Sequence, residues 1–195
     1  MPDVDYLVVA GGAGGASGGG GTCPSTPSEN QTTASTHSRA VGYDNNDFQA
    51  GQSRWQNASA REICMVQGSF IAVGTISAIE YRVYIYETTA TCELGALVAT
   101  SDAVLGTNSW SGTVVRFPFS TSYTTTPGQL YNFVVRRSDG LTSTVNFVGL
   151  EFAAAGGTLT GVEDSWNNAG TAILCGDPVV LAGRDSTMGI FWKGP

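Results

Sequence analysis

Ile76-Ser77-Ala78-Ile79-Glu80-Tyr81-Arg82-Val83-Tyr84-Ile85-Tyr86-Glu87 is the stretch on which the fold turns. Ile79, Tyr81, Val83 and Ile85 alternate with Glu80, Arg82, Tyr84 and Tyr86. Successive side chains of a strand point to opposite faces, so this period of about two yields one apolar and one amphipathic face. That is the mark of a half-buried β-strand. Outward from it the pattern recurs. Gly112–Phe119 places Val115, Phe117 and Phe119 on one face, and Gln129–Arg137 does the same with Tyr131, Phe133 and Val135. Arg61–Val66, Phe70–Val73, Val145–Phe152, Pro178–Leu181 and Thr187–Trp192 read as further strands, divided by Gly, Asn, Asp and Ser. Pro118 has no N–H to give a ladder, so its strand belongs at an edge or turns that position away from a neighbour. The one good helical run, Ala153-Ala154-Ala155, is stopped at once by Gly156-Gly157.

These runs predict an all-β fold: an antiparallel, jelly-roll-like β-sandwich over residues 41–195, with two sheets of about four strands each. The inward set is Ile79, Tyr81, Val83, Ile85, Val115, Phe117, Phe119, Tyr131, Phe133 and Val135. A slip of one residue would turn each set to the opposite face, so burial of Val83 and Phe133 reports on register. Residues 1–40 differ in kind. Eight glycines fall within positions 11–21, and Thr22–Ser38 is a polar, Pro-containing stretch with no period. The prediction is an extended glycine-rich and Ser/Thr-rich arm. It should make few contacts with its own sandwich, because it offers little apolar area to fold back with. Its apolar anchor is Tyr6, Leu7, Val8 and Val9.

The 195 residues include 9 Lys and Arg against 16 Asp and Glu, a formal net charge of −7. No basic run exists, and the adjacent pair Arg136-Arg137 falls on opposite faces of a strand, so nucleic acid is not an expected partner. No apolar run approaches the roughly 20 residues that span a bilayer, so membrane insertion is not expected either. The start Met-Pro-Asp-Val-Asp has no basic region, and export by a secretion signal is not expected. The four cysteines, Cys23, Cys64, Cys92 and Cys175, are too scattered for a zinc ribbon or a redox motif. They read first as buried free thiols, with a Cys64–Cys92 disulfide as the alternative.

Candidate chemistry is sparse. His37, the only histidine, lies in the arm, a poor scaffold for a catalytic base. Glu163-Asp164 could serve as paired carboxylates, but adjacent acids read more simply as a solvated turn. Asp44-Asn45-Asn46-Asp47 sets four oxygen-bearing side chains in a row, which makes Asp44 and Asp47 the candidate ligands for Ca²⁺. An ordinary loop of Asx turns is the simpler reading, and no other cofactor is expected. Trp110 and Trp166 stand in polar stretches and, with Asn167 and Asn168, are the candidate glycan contacts, by stacking and amide hydrogen bonding. No nucleophile–base or acid–base pair emerges, so the expectation is a protein that is not an enzyme.

Two resemblances add to this reading. Asp5–Gly21, DYLVVAGGAGGASGGGG, resembles the glycine-rich segments of bacteriophage tail and collar fibres. From Asp47 to Trp192, the stations Leu97-Val98-Ala99-Thr100-Ser101-Asp102, Val115-Arg116-Phe117-Pro118-Phe119 and Thr126-Pro127-Gly128-Gln129-Leu130-Tyr131 are similar to jelly-roll modules of phage structural proteins and of bacterial surface and carbohydrate-binding proteins. The resemblance implies a non-enzymatic virion protein, either a capsid decoration or head-fibre protein or a tail-fibre component. It would assemble in the host cytoplasm, be exposed after release, form trimers and contact other virion proteins. Its arm would anchor it while the sandwich faces outward for host-surface attachment, with a host glycan as partner. The alternative it implies is a carbohydrate-binding module of a bacterial surface or secreted protein.

Overall fold

The alternating stretch forms the strand Glu80–Thr88, with Tyr81, Val83 and Ile85 wholly inside. It sits within a computed structural model that describes residues 21–30, 38–44, 49–88, 94–152, 159, 161–168, 181–182 and 186–194, with backbone alone at 39, 53, 161–168 and 181–182. In chain order the strands are β1 Glu29–Asn30, β2 Ser38–Val41, β3 Gln49–Gln56, β4 Glu62–Val73, β5 Glu80–Thr88, β6 Leu94–Thr100 and β7 Val104–Leu105. They continue as β8 Ser111–Thr124, β9 Leu130–Arg137, β10 Phe147–Glu151, β11 Gly161–Asn168, β12 Leu181–Ala182 and β13 Met188–Lys193. The described residues contain no helix.

The ladders are nested. β5 pairs with β6, β4 with β8, β3 with β9 and β2 with β10, all antiparallel, as in one long hairpin whose innermost pair is β5–β6. Two further ladders, β5–β9 and β4–β10, roll that ribbon into two sheets. The chain therefore changes sheet at eight of the twelve connections between described strands, in the jelly-roll manner. Sheet A runs β1-β13-β4-β10-β2 with β8 on the other side of β4, and sheet B runs β12-β11-β3-β9-β5-β6 with β7 beside β5. The all-β sandwich read from the sequence is the observed fold, but its sheets hold six and seven described strands and not about four each, because short and polar strands extend them.

The core lies between the sheets and contains the expected inward set. Val83 is 0% and Phe133 1% exposed. Ile79 alone in that set is half-buried, at the turn that precedes β5. Pro118 occupies β8, whose ladder partner among the described residues is β4 alone, so it sits on an edge strand. The two runs Arg61–Val66 and Phe70–Val73 merge into β4, because Gln67-Gly68-Ser69 continues the strand. A Cβ on Gly68 would stand 2.9 Å from the Phe70 ring, so glycine there makes room for core packing instead of a turn.

Three strands escape a hydrophobic pattern. β3 reads QAGQSRWQ, yet Gln49 and Gln52 are buried. Gln52 is satisfied by accepting from the Ser186 backbone N–H at 2.7 Å. Between Gln52 and Trp55 the register shifts, Arg54 takes a positive φ of 54°, and its N–H donates to the Asn132 side chain at 2.9 Å. This bulge lets Trp55 return to the core, where it meets the Phe133 and Tyr131 rings. β11 and β2 are equally polar and are held by their neighbours' backbones.

The arm departs from expectation where it is described. Residues 21–30 form a strap on the sandwich. β1 adds to β13, Ser28 donates its N–H to the Ile190 carbonyl at 2.9 Å, and Trp55 Nε1 donates to the Glu29 carboxylate at 3.0 Å. Arg116 donates to the Ser25 carbonyl at 3.0 Å while its guanidinium lies 5.5 Å from the Phe191 ring centre. A disulfide joins Cys23 to Cys64 of β4, their Cα atoms 5.8 Å apart. Cys64 is thus neither a free thiol nor a partner for Cys92, because the strap brings Cys23 across the outer face of sheet A. Backbone hydrogen bonds and one covalent bond hold what apolar area could not. Residues 38–40 likewise enter β2, so the sandwich takes in part of the segment read as arm. The anchor Tyr6, Leu7, Val8 and Val9, together with His37, Asp47, Cys92 and Cys175, lies outside the described residues.

Candidate binding face on sheet B

β5 and β9 are neighbours inside sheet B, and their outward residues make a polar–aromatic face. The ladder fixes who stands beside whom. Arg136 is directly opposite Arg82 on β5 and Gln49 on β3; Val134 is opposite Tyr84 and Gly51; Asn132 is opposite Tyr86. β6 extends two of these rows with Thr100 beside Tyr84 and Leu97 beside Tyr86. On the far side β11 places Trp166 opposite Gly51 and Asn168 opposite Gln49. One row across the sheet therefore reads Trp166, Gly51, Val134, Tyr84, Thr100, and the next reads Asn168, Gln49, Arg136, Arg82.

The glycine in the first row has a steric cause. A Cβ on Gly51 would fall 1.9 Å from the Phe133 carbonyl oxygen, so only glycine lets β3 approach β9 this closely. The Arg136 guanidinium lies 3.8 Å from the Tyr84 ring centre, a cation–π contact, and donates to the Tyr86 hydroxyl at 3.0 Å. Arg82 donates to the Ser101 carbonyl at 2.7 Å, and Ser101 in turn holds the Val83 backbone N–H through its Oγ at 2.9 Å. Tyr84, Tyr86, Arg82 and Arg136 are half-buried, whereas Asn132, Val134 and Gln49 beside them in the ladders are buried. The result is a firm floor with two rings and two guanidinium groups at its surface.

Arg136 and Arg137 divide as strand geometry requires. Arg137 turns inward, 7% exposed, and its guanidinium pairs with both Asp139 oxygens at 3.0 and 2.7 Å. That pairing holds the Asp139 carboxyl below the ordinary range, more than its partial burial raises it.

The sequence candidates separate. Trp110 is not a glycan contact: it is 5% exposed and closes one end of the sandwich, 5.7 Å from the Phe70 ring and 5.6 Å from Tyr81. Its polar neighbours misled because they serve the turn itself. Asn108 accepts from the Ile76 N–H at 2.9 Å, and the Thr107 carbonyl accepts from the Trp110 N–H at 3.0 Å. In the β11–β3 ladder Trp166 stands opposite Gly51, Asn167 opposite Ala50 and Asn168 opposite Gln49. Tyr84, Tyr86, Arg82 and Arg136 carry no sequence motif that marks them as a site. Their alternation was visible, but which strand faces them was not.

Asp44 is described and Asp47 is not. Among the described residues no group of three or more His, Cys, Asp or Glu converges as a metal site would require. No described helix is long and apolar enough to cross a membrane. The chain matches no protein-family model, and no curated protein matches it either.

Proposed function

We propose that this protein is a non-enzymatic attachment component of a bacteriophage particle, which presents the outer face of sheet B to a saccharide on the host surface. The observation that carries the reading is the pair Tyr84 and Tyr86, successive on one face of β5, with the Arg136 guanidinium laid against them. Flat rings stack on the apolar faces of sugars, and planar donors read their hydroxyls. The virion setting is supported by the fibre-like Asp5–Gly21 segment, with Tyr6, Leu7, Val8 and Val9 as the anchor and a trimer as the assembled form. Strand addition is the anchoring mode we favour, since it recovers backbone hydrogen bonds without needing large side chains.

A glycan array probed with full-length protein tests the reading. Binding that is lost in Tyr84→Ala, with the fold retained by circular dichroism, is the expected outcome. An array that stays flat for both proteins refutes it.

One observation favours a second setting, a carbohydrate-binding module of a bacterial surface or secreted protein. Disulfides such as Cys23–Cys64 belong to oxidising compartments, and a particle assembled in cytoplasm acquires its own only after release. Co-sedimentation with particles separates the two settings, because the virion reading requires the protein in the particle band.

A further inference from the structure

Resting on that saccharide-binding reading, we infer that the ligand of the sheet B face is an acidic saccharide, whose carboxylate is held between Arg82 and Arg136. The two arginines stand directly opposite each other in the β5–β9 ladder. Like charges so placed repel, and a sheet gains nothing from the arrangement by itself. The cost is the less expected in a chain with only 9 Lys and Arg against 16 Asp and Glu, where carboxylate partners are plentiful. Elsewhere the fold uses them: Arg137 is paired with Asp139 and Lys193 with Glu62. Arg82 and Arg136 form no ion pair with a described residue. Arg82 spends a donor on the Ser101 carbonyl, and Arg136 spends one on the Tyr86 hydroxyl.

Those two contacts hold the guanidinium groups without neutralising them. Each guanidinium carries about five N–H donors in a planar fork, so most remain for an incoming anion. Opposite residues of an antiparallel pair lie about 4.5–5.5 Å apart at Cα, a spacing that lets one carboxylate accept from both side chains. Tyr84 is the next outward residue on β5 after Arg82, and its ring already meets Arg136. A carboxylate seated on the arginines therefore brings its own sugar ring beside Tyr84. A net charge of −7 repels polyanions at long range, so capture of an acidic glycan has to come from a local, directional pair of this kind.

The test uses full-length protein and uronate- or sialate-bearing polysaccharides, each beside its carboxyl-reduced counterpart, in which only the carboxylate has become an alcohol. Titration calorimetry is expected to show at least one carboxylated form bound about tenfold more tightly than its reduced form, the scale of a charge-assisted hydrogen bond. Arg82→Gln is expected to remove that preference, so that the carboxylated and reduced forms bind alike, and Tyr84→Ala to remove binding of both. Arg136→Lys, which keeps the charge but not the fork, should fall between. Equal binding of native and reduced forms, still lost in Tyr84→Ala, overturns this inference and leaves the saccharide reading standing. Equal capture of dextran sulfate by the wild type and by Arg82→Gln, with no preference among carboxylated sugars, also overturns it. No binding to any saccharide overturns both.

Discussion

Tyr81 shows what a single position bears in this sandwich. Its ring is fully buried, 5.6 Å from Trp110, and its hydroxyl has no hydrogen-bond partner among the described residues. Burial pushes the phenol up to about 12, only partly opposed by the charge of Arg137. A folded pKa raised above its unfolded value means the stability is complete below about pH 10 and is lost as pH climbs toward 12. Tyr81→Phe removes both the orphan hydroxyl and this alkaline liability. We expect the variant to be at least as stable as the wild type at pH 7, since deleting an unsatisfied buried hydroxyl removes a desolvation cost. It should also lose less stability between pH 10 and 12, as followed by urea midpoints. A large loss at neutral pH would show that the hydroxyl is satisfied after all. Asp139 acts at the other end of the scale. Its carboxyl is depressed by Arg137, so its contribution is present above the unfolded value and fades as pH falls below about 4.

At the scale of the element, the strap over residues 21–30 is the least expected part of the fold. It has two short ladder positions, a pair of Ser28–Trp192 hydrogen bonds at 3.4 and 3.3 Å, and the Cys23–Cys64 disulfide. The backbone bonds alone would leave a fraying end, because two residues of strand give little cooperativity. The disulfide links residues separated by 41 positions, and closing a loop of that length stabilises by about 4 kcal/mol in the chain-entropy account. The expected outcome for Cys23→Ser, and for reduced wild type, is a loss of about 2–4 kcal/mol with the same value in both, since engineered and measured cases often fall short of the entropy limit. Unchanged urea midpoints on reduction would show that the strap is not cross-linked in solution.

The whole molecule is a rolled hairpin, so its stability is spread over ladders between residues far apart in sequence. Truncation should then respect where the strap begins. Removing residues 1–20, seven of them glycine, leaves every described contact in place. Removing residues 1–30 deletes β1, the disulfide and the Glu29–Trp55 hydrogen bond as well. We expect the first truncation to melt within a few degrees of full length and the second to melt about 10 °C lower, on the usual scale of a few degrees per kcal/mol for a domain of this size. The shorter truncation should also be missing from particles while keeping its saccharide affinity. Equal melting of both truncations would place the strap's stabilisation elsewhere.

Residue alternation by itself determined the fold class and the inward face of β5, β8 and β9, with Val83 and Phe133 buried in it. Period-two patterning is a local property, and a sandwich core rewards it wherever the strand ends up. Tertiary structure decided everything that depends on a neighbour. QAGQSRWQ became a central strand because β9 and β11 satisfy its backbone and Ser186 satisfies Gln52. Trp110, polar by context, became core because the turn around it bonds to itself and turns the ring in. Cys64 found Cys23 because β1 lies antiparallel on β13, which no spacing of cysteines encodes. Arg82, Tyr84 and Tyr86 were legible as the wet side of a strand. That side became a candidate site only when the β5–β9 register set Arg136 against them, because register between distant segments is set by the packing of the whole sheet.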